Sequence, residues 1–233
     1  MDGKSKTEIA TSPWEEALFP RQNTSPERDL DGNDTRRLII KVAERLFRQI
    51  GFQKTTVADI ARELHMSPAN VYRYFAAKSE INEAVCMDLL GTIEAAAEEI
   101  AASRDTATQR IRNLFGSVRN THFEQYISNR KLYDLVEASI INKCASIRQH
   151  NERMIEILEQ IIASGMASGE FPLGDAALTA RLVNTACLRF FDARLIVEQE
   201  NGPKPTLDQM IGFCIVAMRG AIILDFPSKE DRT

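Results

Sequence analysis

The feature that most restricts the fold of this chain is a row of apolar residues, spaced three and four apart, that ends at a glycine. Residues on one face of a helix recur at this interval. The row therefore predicts an amphipathic helix that is capped by Asn33 or Asp34 and stopped by Gly51. Its members are Ile39, Val42, Ala43, Leu46, Phe47 and Ile50.

Two short helices are predicted directly after this one. The first covers residues 56–64 with Thr55 or Thr56 as its cap, and the second follows the N-cap Ser67 and runs from residue 69 to about residue 75. Two short helices joined by a tight turn form a helix-turn-helix, whose second helix fits the major groove of DNA. The spacing therefore favours a DNA-binding module.

Polar side chains on the second helix suit contact with DNA. Asn70 and Arg73 carry groups that hydrogen bond to base edges or phosphates, and the hydroxyls of Tyr72 and Tyr74 suit phosphates. Helix packing is the alternative role for the two tyrosines. Lys78, at the start of the next helix, is expected to bind phosphate, with a solvated lysine as the alternative.

Local charge agrees with this interpretation. The chain has a net charge of −4, yet residues 34–85 carry nine Lys or Arg and six Asp or Glu, a balance of +3 that leaves −7 elsewhere. Because attraction to phosphate depends on local charge, an acidic total does not exclude a nucleic-acid partner.

Residues 37–85, "RLIIKVAERLFRQIGFQKTTVADIARELHMSPANVYRYFAAKSEINEAV", resemble the DNA-binding domain of the TetR family. The resemblance implies that Thr56, Tyr72 and Lys78 hold phosphates and that residues 67–74 face the groove. It also implies a minor-groove arm at Arg36 and Arg37, for which exposure to solvent is the alternative. The DNA-contacting set is thus Arg36, Arg37, Thr56, Ser67, Ala69, Asn70, Tyr72, Arg73, Tyr74 and Lys78.

The sequence departs from the family pattern at two places. His65 stands where the turn commonly has glycine, so a positive φ is expected there. Ala69 and Asn70 stand where Gly-Thr is frequent, which changes the surface that faces the groove. The DNA sequence read by a relative is therefore not transferable to this chain.

The rest of the chain predicts an all-α fold with about nine helices in total. Residues 1–33 are expected to be a mobile leader, with a docking element at Trp14, Leu18 and Phe19 as the alternative. Residues 34–80 form the expected helix-turn-helix domain and residues 81–228 a helical effector-binding and dimerisation domain. The later helices are predicted at 79–102, 106–127, 130–143, 146–167, 175–199 and 206–225.

The last two predicted helices are candidates for a dimer interface. The first carries an apolar stripe and the second is apolar nearly all round, so both need cover from a second subunit or, alternatively, from their own. The segment 161–195 also resembles TetR-family C-terminal domains, in which two long helices dimerise. The expected interface residues are Leu178, Leu182, Ala186, Phe190, Ala193, Val197, Met210, Cys214, Ala217, Met218 and Ala221.

The resemblance also implies an effector pocket between the helices of the C-terminal domain. Each candidate lining residue has packing or surface exposure as its alternative, and the mixture of aromatic and apolar groups favours an organic ligand. The candidates are Phe115, His122, Phe123, Tyr126, Tyr133, Glu137, Asn142 and Phe190.

Other function classes lack support in the sequence. No phosphate loop, nucleophile elbow or HExxH motif occurs, so no enzyme, cofactor or metal is expected. The four cysteines show no CxxC pair and are expected to be reduced and mostly buried. Without a secretory signal or a membrane-spanning run, a cytoplasmic protein is expected.

The predicted function is a dimeric repressor that binds a palindromic operator in double-stranded DNA and is released by a small organic effector. The alternative is a regulator of the same fold that senses no ligand and is controlled by a protein partner, with the leader as its contact.

Overall fold

The computed structural model describes residues 32–191 and 205–220, apart from the side chains at 123 and 125–128. This part of the chain contains nine α-helices, one 3-10 turn at Leu188–Phe190 and no strand, so the all-α prediction is confirmed. The helices are α1 (Gly32–Ile50), α2 (Val57–Glu63), α3 (Pro68–Tyr72), α4 (Lys78–Ala102), α5 (Ala107–Ser128), α6 (Arg130–Ile141), α7 (Ala145–Ala167), α8 (Ala176–Cys187) and α9 (Leu207–Arg219).

Several predicted helix ends differ from the structure, most by one or two residues, and those of α1, α3 and α8 bear on the predicted caps and helix lengths. Helix α1 begins at Gly32, so Asn33 and Asp34 lie in its first turn and neither caps it. Helix α3 ends at Tyr72, and single-turn hydrogen bonds carry the chain on to Phe75. Helix α8 ends at Cys187 because the backbone tightens into the 3-10 turn, and residues 192–204 lie outside the described part.

The buried residues form two clusters. The first joins α1, α2 and α3 to the N-terminal half of α4 and to α6, and the second joins the end of α4 to α5, α7, α8 and α9. Since α4 has 25 residues and contributes to both clusters, it links the helix-turn-helix to the C-terminal helices. The predicted domain boundary at residue 80 stays a prediction, and the first cluster continues across it.

A junction far from the helix-turn-helix ties three C-terminal elements together. The Glu170 carboxylate accepts hydrogen bonds from the backbone N–H groups of Ala107 (2.7 Å) and Thr108 (2.9 Å) at the start of α5. Arg219 at the end of α9 lies 3.5 Å from Glu170 and donates to the Thr108 hydroxyl at 3.0 Å. The first turn of α5 is therefore capped by a residue of the loop after α7.

Within residues 32–191 and 205–220, no helix combines the length and the apolar character that a membrane crossing needs.

Candidate nucleic-acid interface

The start of α2 is held by a reciprocal cap. The Thr56 hydroxyl accepts the Asp59 backbone N–H at 3.1 Å, and the Asp59 carboxylate accepts the Thr56 backbone N–H at 2.9 Å and its hydroxyl proton at 2.7 Å. Hydrogen bonds from Thr56, followed by the charge of Arg62, hold the pKa of Asp59 below its usual range. The orientation of Thr56 is thus fixed by its own helix.

The turn between α2 and α3 takes the strained backbone that the sequence predicts. His65 has φ 54°, and the Met66 N–H donates back to the Ala61 carbonyl at 2.9 Å. Ser67 then caps α3 by accepting the Asn70 N–H at 3.2 Å, with Pro68 in the first helical position. A chain reversal of this kind turns α3 across α2, as a helix-turn-helix requires.

Helix α3 is anchored by its buried side and presents the other side to solvent. Val71 is fully buried and Phe75 nearly so, whereas Ala69 and Arg73 are exposed and the Tyr72 side chain is 50% exposed. In the described part of the chain, the Arg73 guanidinium has no hydrogen bond or ion pair. Arg73 and Tyr72 are thus available to an incoming partner.

The side chains of Asn70 and Tyr74, two of the predicted DNA contacts, contact other residues of the protein. The Asn70 amide points back to the Met66 sulfur, 3.9 Å away, and Tyr74 is half-buried against the first core cluster. Tyr74 thus packs against the core, which is the alternative that the sequence left open for it. The Asn70 side chain would have to rotate to reach a base. Their roles in DNA contact stay predictions.

Lys78 lies on the flank of the motif beside the α2 cap. Its ammonium donates to the Gln53 carbonyl at 3.2 Å. Burial lowers the pKa of Lys78, and the nearby charge of Asp59 opposes this effect. The contact holds Lys78 at the start of α4, where free backbone N–H groups and an ammonium together suit a phosphate.

The start of α1 lies beside the end of α3, which the sequence did not reveal. The Arg36 guanidinium sits 4.7 Å from the centroid of the Phe75 ring, a cation–π contact. A Cβ at Gly32 would lie 3.9 Å from the Tyr74 ring. Arg36 and the exposed Arg37 are therefore close to the recognition surface, although more than thirty residues separate them from it.

Two family models match the chain, and both describe one family. The model for "Bacterial regulatory proteins, tetR family" matches residues 39–85, and the model for "Tetracyclin repressor-like, C-terminal domain" matches residues 107–207. The chain belongs to the TetR family. It is accordingly a DNA-binding transcriptional regulator, and its helix-turn-helix is the motif that the first model describes.

Solved structures of other proteins share the fold at low sequence identity. A transcriptional regulator from Cytophaga hutchinsonii is 20% identical with a TM-score of 0.59, and the match covers 78% of this chain and 97% of the other. Thermus thermophilus FadR, a TetR-family repressor solved with lauroyl-CoA, is 18% identical with a TM-score of 0.56 (83% and 98% covered). RolR, solved with resorcinol, is 16% identical with a TM-score of 0.54 (83% and 89% covered). Comparison with curated proteins gives no match.

In this TetR-family chain, an apolar cleft of about 500 Å³ lies between α8 and α9. Phe213, at its edge, is 69% exposed, and Leu173 is 88% exposed. Six of the predicted interface residues line the cleft: Leu178, Leu182, Ala186, Cys214, Ala217 and Met218. Phe190 is buried and Met210 half-buried in the second core, whereas Ala193, Val197 and Ala221 lie outside the described residues.

The predicted effector residues divide into two groups, and one forms an aromatic and polar cluster. The Phe115 ring stacks on Phe191 with centroids 5.6 Å apart, and the His122 ring lies 6.4 Å from Phe191. His150 Nδ1 lies 2.8 Å from Glu94 Oε1 beside them. Burial, with the charge of His150 as a second cause, lowers the pKa of His122 to about 4. The His122 imidazole is thus neutral at ordinary pH.

The second group lies elsewhere. Tyr133 is buried on α6, Asn142 is the exposed C-cap of α6, and Glu137 lines a cleft of about 450 Å³ against the loop that follows α1. Phe190 is buried in the second core. The side chains of Phe123 and Tyr126 lie outside the described residues.

Sequence reasoning missed Glu94, His150 and Phe191. Glu94 and His150 lie on α4 and α7 and are 56 residues apart, so no local spacing could reveal their contact. Among the residues with described side chains, no three His, Cys, Asp or Glu converge as metal ligands would.

Proposed function

We propose that this TetR-family regulator is a repressor that binds a palindromic DNA site as a dimer and is released by a small organic ligand. The observation that carries the proposal is that α3 is held on one side by the core and exposed to solvent on the other. Val71 in α3 and Phe75 just after it are buried, Ser67 caps the start, and the exposed side offers Tyr72 and the C-cap Arg73, whose guanidinium has no partner among the described residues. A short, rigidly held helix with a free guanidinium suits reading of guanine in the major groove.

Phosphate contacts are proposed on both sides of this helix. Lys78 and Thr56 flank it on one side, and Arg36 and Arg37 lie beside its C-terminal end. Phosphate contacts on either side of a groove-entering helix fix its register without adding sequence information. The four residues would orient α3, with Tyr72 as a further phosphate contact, and Asn70 and Arg73 would read the site.

The cleft between α8 and α9 supports the dimer. Phe213 and Val216 on α9 are 69% and 70% exposed, and Leu182 on α8 is 41% exposed. Large apolar side chains gathered on one face mark an interaction surface. A second copy of the chain would cover both helices and place two α3 helices on the half-sites of a palindrome.

The Phe115–Phe191–His122 cluster supports a ligand site. A neutral imidazole donates and accepts a hydrogen bond, and stacked rings suit a planar or apolar ligand. The related folds of FadR and RolR were solved with lauroyl-CoA and resorcinol, both organic molecules. Because α4 connects this half of the molecule to the helix-turn-helix, a ligand that favours one position of α4 would change the affinity for DNA.

The test is DNA binding by purified protein on a footprinted site, measured by fluorescence anisotropy over a range of salt concentrations. Lys78→Ala should weaken all sequences alike and reduce the salt slope by about 1, whereas Asn70→Ala and Arg73→Ala should change the base preference at a cost of about 1–3 kcal/mol. Arg104→Ala is the matched control, since Arg104 is exposed near the far end of α4. The proposal would be overturned if all three variants bound DNA as the parent does and if sedimentation did not show two protein chains on each DNA site.

A further inference from the structure

The cleft beside α6 lies apart from the regions proposed for the organic ligand and for the dimer. It has a volume of about 450 Å³, and its walls are the loop at residues 50–54 and the face of α6 that carries residues 131, 134, 138 and 141. These four positions recur at the spacing of one helix face. In the described part of the chain, no residue of α8 or α9 lines the cleft. Its size lies within the range of roughly 300–1,000 Å³ that is usual for sites of small organic molecules.

The loop wall of the cleft is held in place by the protein itself. Gly51 has a φ of 91°, and its carbonyl accepts both the backbone N–H of Thr55 at 3.1 Å and the Thr55 hydroxyl at 2.9 Å. The Phe52 ring lies edge-on to the fully buried Phe47, with the two ring centroids 6.5 Å apart. Because these contacts fix the loop, a ligand does not have to order this wall when it binds.

The lining of the cleft combines apolar side chains with two unpaired charges. Ile50 and Ile141 are 43% and 63% exposed, and together with Phe52 they form its apolar surface. Glu137 is half-buried and Lys54 is exposed, and within residues 32–191 and 205–220 neither side chain has a hydrogen bond or an ion pair. A carboxylate that has lost part of its water without gaining a partner favours a cation as its ligand.

The other two charged groups of the lining are balanced within the protein. The Lys131 ammonium donates to the Gln49 carbonyl near the end of α1, where the helix dipole is negative. The Asp134 carboxylate accepts a hydrogen bond from the Arg130 guanidinium at 3.2 Å. The groups left for a ligand are therefore one anion and one cation of the protein, next to an apolar surface.

We propose that this cleft binds an apolar zwitterion of the size of an α-amino acid. The ammonium of the ligand pairs with Glu137, its carboxylate pairs with Lys54, and its side chain lies on the apolar residues of the cleft. A ligand that carries one charge alone leaves the other protein group unpaired. Because Glu137 is half-buried and Lys54 is exposed, the ammonium contributes more to the affinity than the carboxylate.

The loop that lines the cleft also borders the proposed DNA contacts. The Gln53 carbonyl accepts the Lys78 ammonium at 3.2 Å, and Thr56 lies two residues beyond the loop. A ligand that favours one position of the loop therefore changes the affinity for DNA. This link rests on the proposed function, whereas binding of the zwitterion does not.

The experiment titrates three probes into the full chain and follows binding by calorimetry. All three share a phenyl ring on a two-carbon chain: L-phenylalanine carries both charges, phenethylamine carries the ammonium alone, and hydrocinnamate carries the carboxylate alone. We expect L-phenylalanine to bind best. Hydrocinnamate should bind roughly tenfold more weakly because Glu137 stays unpaired. Phenethylamine should bind roughly threefold more weakly because an exposed ion pair with Lys54 contributes less.

Two substitutions assign each charge of the ligand to its partner. Glu137→Gln should weaken L-phenylalanine roughly tenfold without weakening hydrocinnamate, and Lys54→Met should weaken L-phenylalanine roughly threefold without weakening phenethylamine. Glu124→Gln and Lys143→Met are the matched controls, since both residues are exposed and neither lines the cleft. At a concentration that saturates the parent alone, L-phenylalanine should shift the Kd for the footprinted DNA in the parent and not in Glu137→Gln.

Three results would overturn the proposal. Equal affinities for the three probes, or no binding of L-phenylalanine to the folded chain, would show that the cleft does not select a zwitterion. Binding that is lost in Phe115→Leu but kept in Glu137→Gln would place the probe in the aromatic cluster on α5. An unchanged Kd for DNA on the chain saturated with L-phenylalanine would remove the link to DNA. None of these results concerns DNA binding by the protein without the probes, so the proposed function is tested separately.

Discussion

Gly165 in α7 stands at the closest approach of three elements, and its replacement by alanine should destabilise the protein. A Cβ at this position would lie 2.5 Å from Phe171 Cδ2, 2.6 Å from Phe171 Cε2 and 2.7 Å from the Ala107 Cβ. Non-bonded carbon atoms normally lie about 3.5–4.0 Å apart. The added methyl therefore requires α5 and the loop after α7 to move outward by about 1 Å.

Neither neighbour can move aside cheaply. Phe171 is 2% exposed and Ala107 is 1% exposed, and the backbone N–H groups of Glu170 and Phe171 donate to the Gly165 carbonyl at 2.8 and 3.1 Å. Overpacking of this kind costs about 1–3 kcal/mol. Because alanine has a higher helix propensity than glycine, the substitution also stabilises α7 by about 1 kcal/mol. The free energy of unfolding should thus fall by up to about 2 kcal/mol, which for a chain of this size lowers the Tm by up to roughly 4–8 °C.

Gly91→Ala is the matched control for Gly165→Ala. Gly91 also lies inside a long helix, α4, but a Cβ there would meet nothing within 4 Å. The control should gain about 0.5–1 kcal/mol from helix propensity alone, so its Tm should rise. Thermal unfolding followed by circular dichroism, at one protein concentration, compares the two variants. A Tm for Gly165→Ala at or above that of the parent would refute the packing argument.

Two further predictions concern partly buried ionisable groups in the same half of the molecule. Burial raises the pKa of Glu170. Hydrogen bonds from Thr108 and Ala107 and the charge of Arg219 together lower it by more, so the pKa of Glu170 lies below its usual value. Its stabilising contribution is therefore present above the unfolded pKa of about 4.3 and is lost as the pH falls through the lower folded value. Glu170→Gln should cost about 1–2 kcal/mol at neutral pH, with a smaller difference at about pH 3, as measured by urea titration; equal differences at both pH values would contradict this assignment. His122 has the opposite chemistry, because a folded pKa of about 4 against an ordinary 6.5 means that the unfolded chain binds more protons between these values. The protein should lose at most about 3 kcal/mol of stability as the pH falls through that window, and His122→Leu should flatten the loss; a variant with the parent's pH profile would show that another group is responsible.

Much of the helix-turn-helix could be predicted because the interactions that define it are local. The Thr56–Asp59 cap joins residues three apart, the Ser67 cap joins residues three apart, and Gly51 has the positive φ of 91° that a helix-ending glycine adopts. The positive φ of His65 was also predictable, because this residue stands where the turn in the family commonly has glycine. The helix ends were less predictable: α3 stops at Tyr72, and the backbone N–H groups of Arg73 and Tyr74 donate to the carbonyls three residues before them.

The C-terminal sites required the folded molecule. Glu94, His122 and His150 come from α4, α5 and α7, so their cluster exists only when the three helices pack. Of the predicted effector residues, Phe115 and His122 share the ring of Phe191, while Glu137 and Asn142 lie on other surfaces. An apolar helix pattern shows that a face is covered, but it does not show which residues of another helix cover it.

The sequence by itself determined the all-α class, the helix-turn-helix and its caps, because the hydrogen bonds and apolar spacings involved span only a few residues. Tertiary structure alone decided which distant groups meet: Arg36 on Phe75, Glu170 on the first turn of α5, and His150 against Glu94. These contacts depend on the order and crossing of whole helices. That arrangement is fixed by the packing of both core clusters together, and short-range spacing carries no record of it.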